Sequence, residues 1–356
     1  MRPGRSEVGR TALDRHVSGT GHGSGRSARR WLAVSLALAV AAPATLAAQT
    51  NGSGATFLLL PLGARLVGQG GAGVADRLGG ESVIVNPAAL ALGSRSEIAL
   101  LHAQDVVGTR DMLQVVIPSR ALGTFGVSGY LLNLGEQPVT AAGSGQQIGT
   151  AYPRYVFLQG SYASTLGRRL ALGLTFRVMQ FRTDCTGECS QPEDPSPISE
   201  LTPTTSMVDV GGQYAVDSAR TLVLGAALRH LGPRLQVQDE EQADPLPTQV
   251  AVGARYVVPG VAQRVPGAEL RLHAEVTQPV GPAGGDTGVR LGTEGRLRDT
   301  FVVRAGFSAR TGGNDGPSIG FGYDGRRVGF DVARQLTGFS VEAGEPPTFV
   351  GLRYRF

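Results

Sequence analysis

The sequence contains no lysine, and all 33 of its basic residues are arginines. Every cation is therefore a planar, multidentate donor suited to pairing with carboxylates. Tryptophan occurs once, as Trp31, so any aromatic belt further along must be built from Tyr and Phe. The two cysteines, Cys185 and Cys189, lack the further ligands that a metal site requires, and no histidine lies near them. In the turn-rich stretch DCTGEC of an exported chain they point instead to a disulfide closing a small loop. Beyond residue 50 no run approaches the roughly 20 apolar residues of a membrane-spanning helix, which excludes a helical membrane bundle. Only three histidines follow the first 50 residues: His102, His230 and His273. None belongs to a nucleophile elbow, an H-E-x-x-H pair or a cysteine–histidine arrangement. The expectation is a protein that is not an enzyme and holds no cofactor or metal.

What is present begins with a leader. Arg26, Arg29 and Arg30 precede WLAVSLALAVAAPATLAAQ, a positive region followed by an apolar one and a small-residue cleavage pattern. This predicts a secretory signal peptide over residues 1–47, cut after Ala47. The leader holds seven arginines against Glu7 and Asp14, so the formal +4 becomes +4 − 5 = −1 for residues 48–356. The basic balance belongs to the leader and is no argument for a nucleic-acid partner.

Downstream of residue 95, apolar residues alternate with polar or small ones. In LALGLTFRVMQF, Leu170, Leu172, Leu174, Phe176 and Val178 share one face, while Ala171, Gly173, Thr175 and Arg177 share the other. ELRLHAEVTQ and FVVRAGFSAR repeat the pattern. Period two means strands with one apolar face. About fourteen such segments are expected, among them 96–107, 152–165, 169–182 and 347–356. Their connections alternate between tight turns such as TLGRR and DGR and long loops such as 134–151 and 183–203. That is the plan of an outer-membrane barrel. The predicted fold is all-β: an antiparallel transmembrane β-barrel of about 14 strands over 96–356, with residues 48–95 as a plug in its lumen. The polar face then points inward, giving Arg177, Asp209, Arg229, Arg271, His273, Glu275, Arg304 and Asp331 as lumen-facing candidates.

The segment RLVGQGGAGVAD contains G-x-G-x-x-G at Gly68, Gly70 and Gly73. A dinucleotide site needs that motif inside a βαβ unit, and no helical periodicity separates the strands that follow. The longer stretch FLLLPLGARLVGQGGAGVADRLGGESVIVNPAALALGS instead resembles the opening of the PorV/PorQ family, a branch of the FadL-like outer-membrane barrels. The residues that carry the resemblance are Gly63, Ala64, Arg65, Gly68, Gly70, Gly71 and Ala72, followed by Asn86, Pro87 and Ala88. The C-terminal FVGLRYRF, with Gly351, Tyr354 and Phe356, resembles the insertion signal of bacterial outer-membrane proteins. It implies the barrel-assembly machinery and outer-membrane lipid as partners.

The resemblance implies two functional classes. The first is a PorV/PorQ-type protein serving type IX-like protein secretion, with secretion-system proteins as partners. The second is a FadL-like passive transporter with a small hydrophobic ligand. Glycines that tolerate positive φ and an Asn-Pro turn suit an irregular segment packed within a barrel.

Overall fold

The computed structural model describes residues 55–105, 108–141, 143–187, 202–235, 243–281, 284–310, 316–336 and 346–356. The leader lies outside the described residues, and so does Cys189, which leaves the expected Cys185–Cys189 bridge outside them as well.

Fifteen strands form one antiparallel sheet. They are β1 (Glu97–Asp105), β2 (Gly108–Ser119), β3 (Gly123–Asn133), β4 (Gln137–Thr140), β5 (Gln147–Leu166), β6 (Leu170–Gly187), β7 (Thr204–Ala215) and β8 (Leu222–Leu231). The rest are β9 (Gln249–Val257), β10 (Ala268–Pro279), β11 (Gly288–Leu297), β12 (Phe301–Arg310), β13 (Pro317–Asp324), β14 (Val328–Gln335) and β15 (Thr348–Arg355). The sheet closes on itself: β1 pairs with β15 from Glu97↔Arg355 to Gln104↔Thr348. Fourteen strands make the circuit, because β3 pairs directly with β5 and the short β4 pairs only with the far end of β5. Closure removes the edges of the fourteen-strand circuit, which hydrocarbon would not tolerate unpaired.

Three features differ from the sequence reading. β4 is an added short strand in the 134–151 loop, and β5 and β6 run further into their loops than alternation alone suggested. Both departures occur beyond the point where β3 leaves β5, at Asn133↔Arg154, so backbone pairing and not an apolar face maintains them there. In addition, the connection from β9 to β10 contains one helical turn, Val261–Arg264.

Burial separates the two faces of the wall. On β6, Phe176 is 50% exposed, whereas its neighbours Thr175 and Arg177 are 0% and 6% exposed. On β10, Leu272 and Val276 are exposed while His273 and Glu275 are buried. A β-sandwich would bury the apolar face; here that face looks outward along the strands of the circuit, as lipid requires. Exposed aromatics gather where strands meet the short turns: Phe125 packs on Tyr162 at 5.2 Å and Phe301 on Tyr323 at 6.0 Å, with Tyr354 against Phe356 at 6.2 Å. Among the described residues no helix is long and apolar enough to cross a membrane; the strands cross instead.

Candidate functional site

The N-terminal segment has almost no regular structure of its own, and its backbone polar groups find partners on the inward face of the wall. It consists of a 3₁₀ turn at Thr56–Leu59, a five-residue helix α1 (Ala64–Gly68), a 3₁₀ stretch at Gly79–Ile84 and another at Pro87–Leu92. The motif residues sit at its tightest points. Gly70 and Gly71 have φ of +69° and +79°, a region that β-carbon-bearing residues avoid. A Cβ on Gly70 would lie 2.5 Å from the Leu291 carbonyl oxygen and 2.6 Å from the Phe307 amide nitrogen. Gly63, also at positive φ, caps α1 where a side chain would collide with Glu81.

Asn86 and Pro87 have separate tasks. The Asn86 Oδ1 accepts the Ala88 amide at 3.1 Å, capping the 3₁₀ stretch that Pro87 opens. The Asn86 Nδ2 donates to the Val74 carbonyl at 2.7 Å and to the Gly212 carbonyl of β7 at 3.1 Å. One side chain thus satisfies backbone on the segment and on the wall. Ala64, Arg65, Gly68 and Ala88 are all buried, and Arg65 Nη2 donates to the Arg77 carbonyl at 3.1 Å.

Glu275 is the strongest tether. Its Oε2 accepts the amides of both Gly73 and Val74 at 2.8 Å, and its Oε1 pairs with Arg290 at 2.9 Å. Gln213 adds Nε2 donation to the carbonyls of Val74 and Asp76, and Glu97 accepts the Gly80 amide at 2.9 Å. Within the segment, burial would raise the Asp76 carboxyl, but His273, Arg271 and Arg65 outweigh it and hold that group below the usual carboxylate range.

The remaining inward charges form ion-pair chains. Arg177 meets Asp209 at 2.8 Å. Arg304 bridges Glu294 and Asp331, both at 2.8 Å, and Asp331 also pairs with Arg353. Arg271 meets Glu294 at 3.0 Å, while Arg229 stands 3.9 Å from Glu275, beyond hydrogen-bonding distance. His273 is buried on the same face, between Arg271 and Glu275. These are paired charges in a polar interior, and their arrangement shows no nucleophile–base geometry. Among the described residues no group of His, Cys, Asp and Glu is placed to hold a metal.

Above α1, on the long-loop side, a pocket of about 220 Å³ opens. Its apolar side consists of Phe57, Leu62, Met112, Tyr130, Phe157 and Phe349; its polar side includes Arg177, Arg229, His230, Gln249 and Arg290. Phe57 holds the rim, its ring tilted against that of Tyr155 with centroids 4.1 Å apart. A second pocket of about 380 Å³ adjoins it toward the 279–288 loop and shares Phe57, Leu60, Gln249 and Arg290. Such an arrangement can seat a small apolar molecule and offer donors to an acceptor group on it.

Sequence reasoning singled out charged inward residues and missed the neutral ones. Gln114 and Gln213 are fully buried and bond the segment, and the same alternation that marked Arg177 could have marked them. His230 escaped because of a bulge: the β7–β8 register shifts between Val208 and Val210, turning both Arg229 and His230 inward. The freed His230 amide donates to Asp209 Oδ1 at 2.7 Å.

No protein-family model matches the chain, and no curated protein does either. Solved structures do. The Ralstonia pickettii toluene transporter TbuX matches with a TM-score of 0.56 at 14% identity, over 83% of this chain and 98% of that one. The CymD monoaromatic hydrocarbon channel matches with a TM-score of 0.57 at 13% identity, over 84% and 98%. A Pseudomonas aeruginosa FadL homologue matches with a TM-score of 0.50 at 11% identity, over 83% and 98%. The fold is that of the FadL-like outer-membrane barrels. At these identities the likeness concerns the fold, which suits an outer-membrane location.

Proposed function

We propose that the protein is a passive outer-membrane channel for small hydrophobic molecules, with residues 55–95 serving as its plug. The carrying observation is the pocket between Phe57, Phe157 and α1: apolar on one side and polar on the other, open on the long-loop side, and floored by a segment held by single side-chain tethers rather than a ladder. Such tethers can be released without breaking the barrel, so a molecule seated above the plug has a route past it. The matched solved structures include a toluene transporter and a monoaromatic hydrocarbon channel, and they support this reading over the secretion-partner one. On this reading a seated molecule contacts Phe157 and Met112, and an acceptor on it meets Arg229.

Toluene is the probe. In a host without such a channel, production of the protein is expected to raise uptake of labelled toluene, and Phe157→Trp, which fills the pocket, is expected to reduce that gain. Uptake equal to that of the empty host, with the barrel folded in the outer membrane, refutes the channel reading. A stable complex with an exported cargo protein, together with unchanged uptake, would favour the secretion role.

A further inference from the structure

In the sequence, the connections on the two sides of the barrel carry opposite charge. Six connections lie on the short-turn side, and every one contains arginine: eight in all, against Asp217 and Asp299. The opposite connections hold thirteen carboxylates and one arginine, Arg234. Asp217 is already committed within its own turn, where it accepts the Thr221 and Leu222 amides at 3.0 Å.

Six of the short-turn arginines are exposed and spread around the circuit: Arg120, Arg168, Arg264, Arg298, Arg326 and Arg327. Among the described residues none of these six guanidinium groups is hydrogen-bonded or ion-paired, unlike inward arginines such as Arg177 and Arg304, which are matched to carboxylates. A ring of like charges repels itself unless a counter-charge is supplied from outside.

The depth of the ring indicates the source of that counter-charge. Phe125, Tyr162, Tyr214, Tyr256, Phe301 and Tyr323 face outward at the short-turn ends of their strands. Such aromatic belts sit at the membrane–water boundary. The arginines lie in the turns just beyond this belt, the level that such a belt assigns to headgroup phosphates. Guanidinium is a multidentate phosphate donor. Short turns face the periplasm in barrels of this plan. We propose that the short-turn rim is a headgroup-binding surface that gathers anionic phospholipids of the periplasmic leaflet around the barrel. The proposal rests on the fold and the charge distribution, and holds whether or not the lumen conducts.

The test compares phosphatidylglycerol with phosphatidylcholine of the same acyl chains. Mature protein in detergent is titrated with each, and retained lipids are counted by native mass spectrometry at low and high salt. The wild type is expected to retain phosphatidylglycerol in preference, and salt should weaken that preference. The variant Arg120→Gln/Arg168→Gln/Arg264→Gln/Arg327→Gln, checked for heat-modifiable migration, is expected to lose about tenfold or more of it. Should the variant not fold, the salt dependence of the wild type still decides. Equal retention of the two lipids by the wild type, or an unchanged preference in a folded variant, overturns the proposal. So does a salt-sensitive complex with an acidic periplasmic protein in the absence of any lipid preference, which would assign the rim to a protein.

Discussion

Glu275 on β10 accepts the backbone amide of Gly73, 202 residues away in sequence, at 2.8 Å. The same carboxylate oxygen accepts Val74, and its partner oxygen holds Arg290. One strand residue therefore clamps the glycine-rich turn to the wall and neutralises a neighbouring arginine.

Replacing Glu275 with Ala leaves two amides and Arg290 without their shared acceptor. Removing one partner of a buried pair costs about 3–5 kcal/mol, a loss that falls on the seat of the segment and not on the strand ladder. The Glu275→Ala barrel is expected to insert and show heat-modifiable migration while residues 57–95 become sensitive to added protease. Wild-type resistance in that region would mean that the other tethers suffice.

Gly70 and Gly71 combine positive φ with contact against β11 and β12. Valine at both positions adds branched side chains beside the Leu291 carbonyl, the Phe307 amide and the Arg290 side chain. Overpacking costs about 1–3 kcal/mol per site, and the unfavourable φ adds to it. Abundance is expected to stay normal, with new proteolysis of the segment or a new leak to small solutes. If both assays match the wild type, the segment does not seal the lumen.

Glu81 makes the seat of α1 sensitive to pH. Burial pushes its carboxyl up to about 7, against the pull of Arg65 and with added repulsion from Asp331. An ordinary glutamate titrates near 4.5, so the folded form binds the proton more tightly. Its contribution is fully present below about 4.5 and is lost as pH rises through about 7. Glu81 Oε2 accepts the Leu66 amide at 3.3 Å, so that amide reports the change. Its hydrogen-exchange protection, corrected for intrinsic exchange, is expected to fall across this window, and Glu81→Gln to flatten the profile. A wild-type profile already flat across neutral pH would place the Glu81 titration elsewhere.

Strand positions and faces were legible in the sequence because period two is local. Leu172, Leu174 and Phe176 face outward and Gly173, Thr175 and Arg177 inward whatever lies next to them. Turn lengths are equally local, and they separated the two rims. The glycine motif and Asn86-Pro87 marked an irregular, closely packed segment, since few other residues tolerate such backbone.

Tertiary structure decided which residues meet. Arg355 finds Glu97 at 3.0 Å only because β15 closes on β1, and nothing near either residue records the other. The β7–β8 bulge that delivers the His230 amide to Asp209 breaks the alternation on which the face assignment depended. Gln114 and Gln213 became tethers because a backbone carbonyl lies opposite each of them. Periodicity along a strand sets which way a side chain points, whereas its partner is set by register, closure and the path of a segment without periodicity, which are properties of the whole chain.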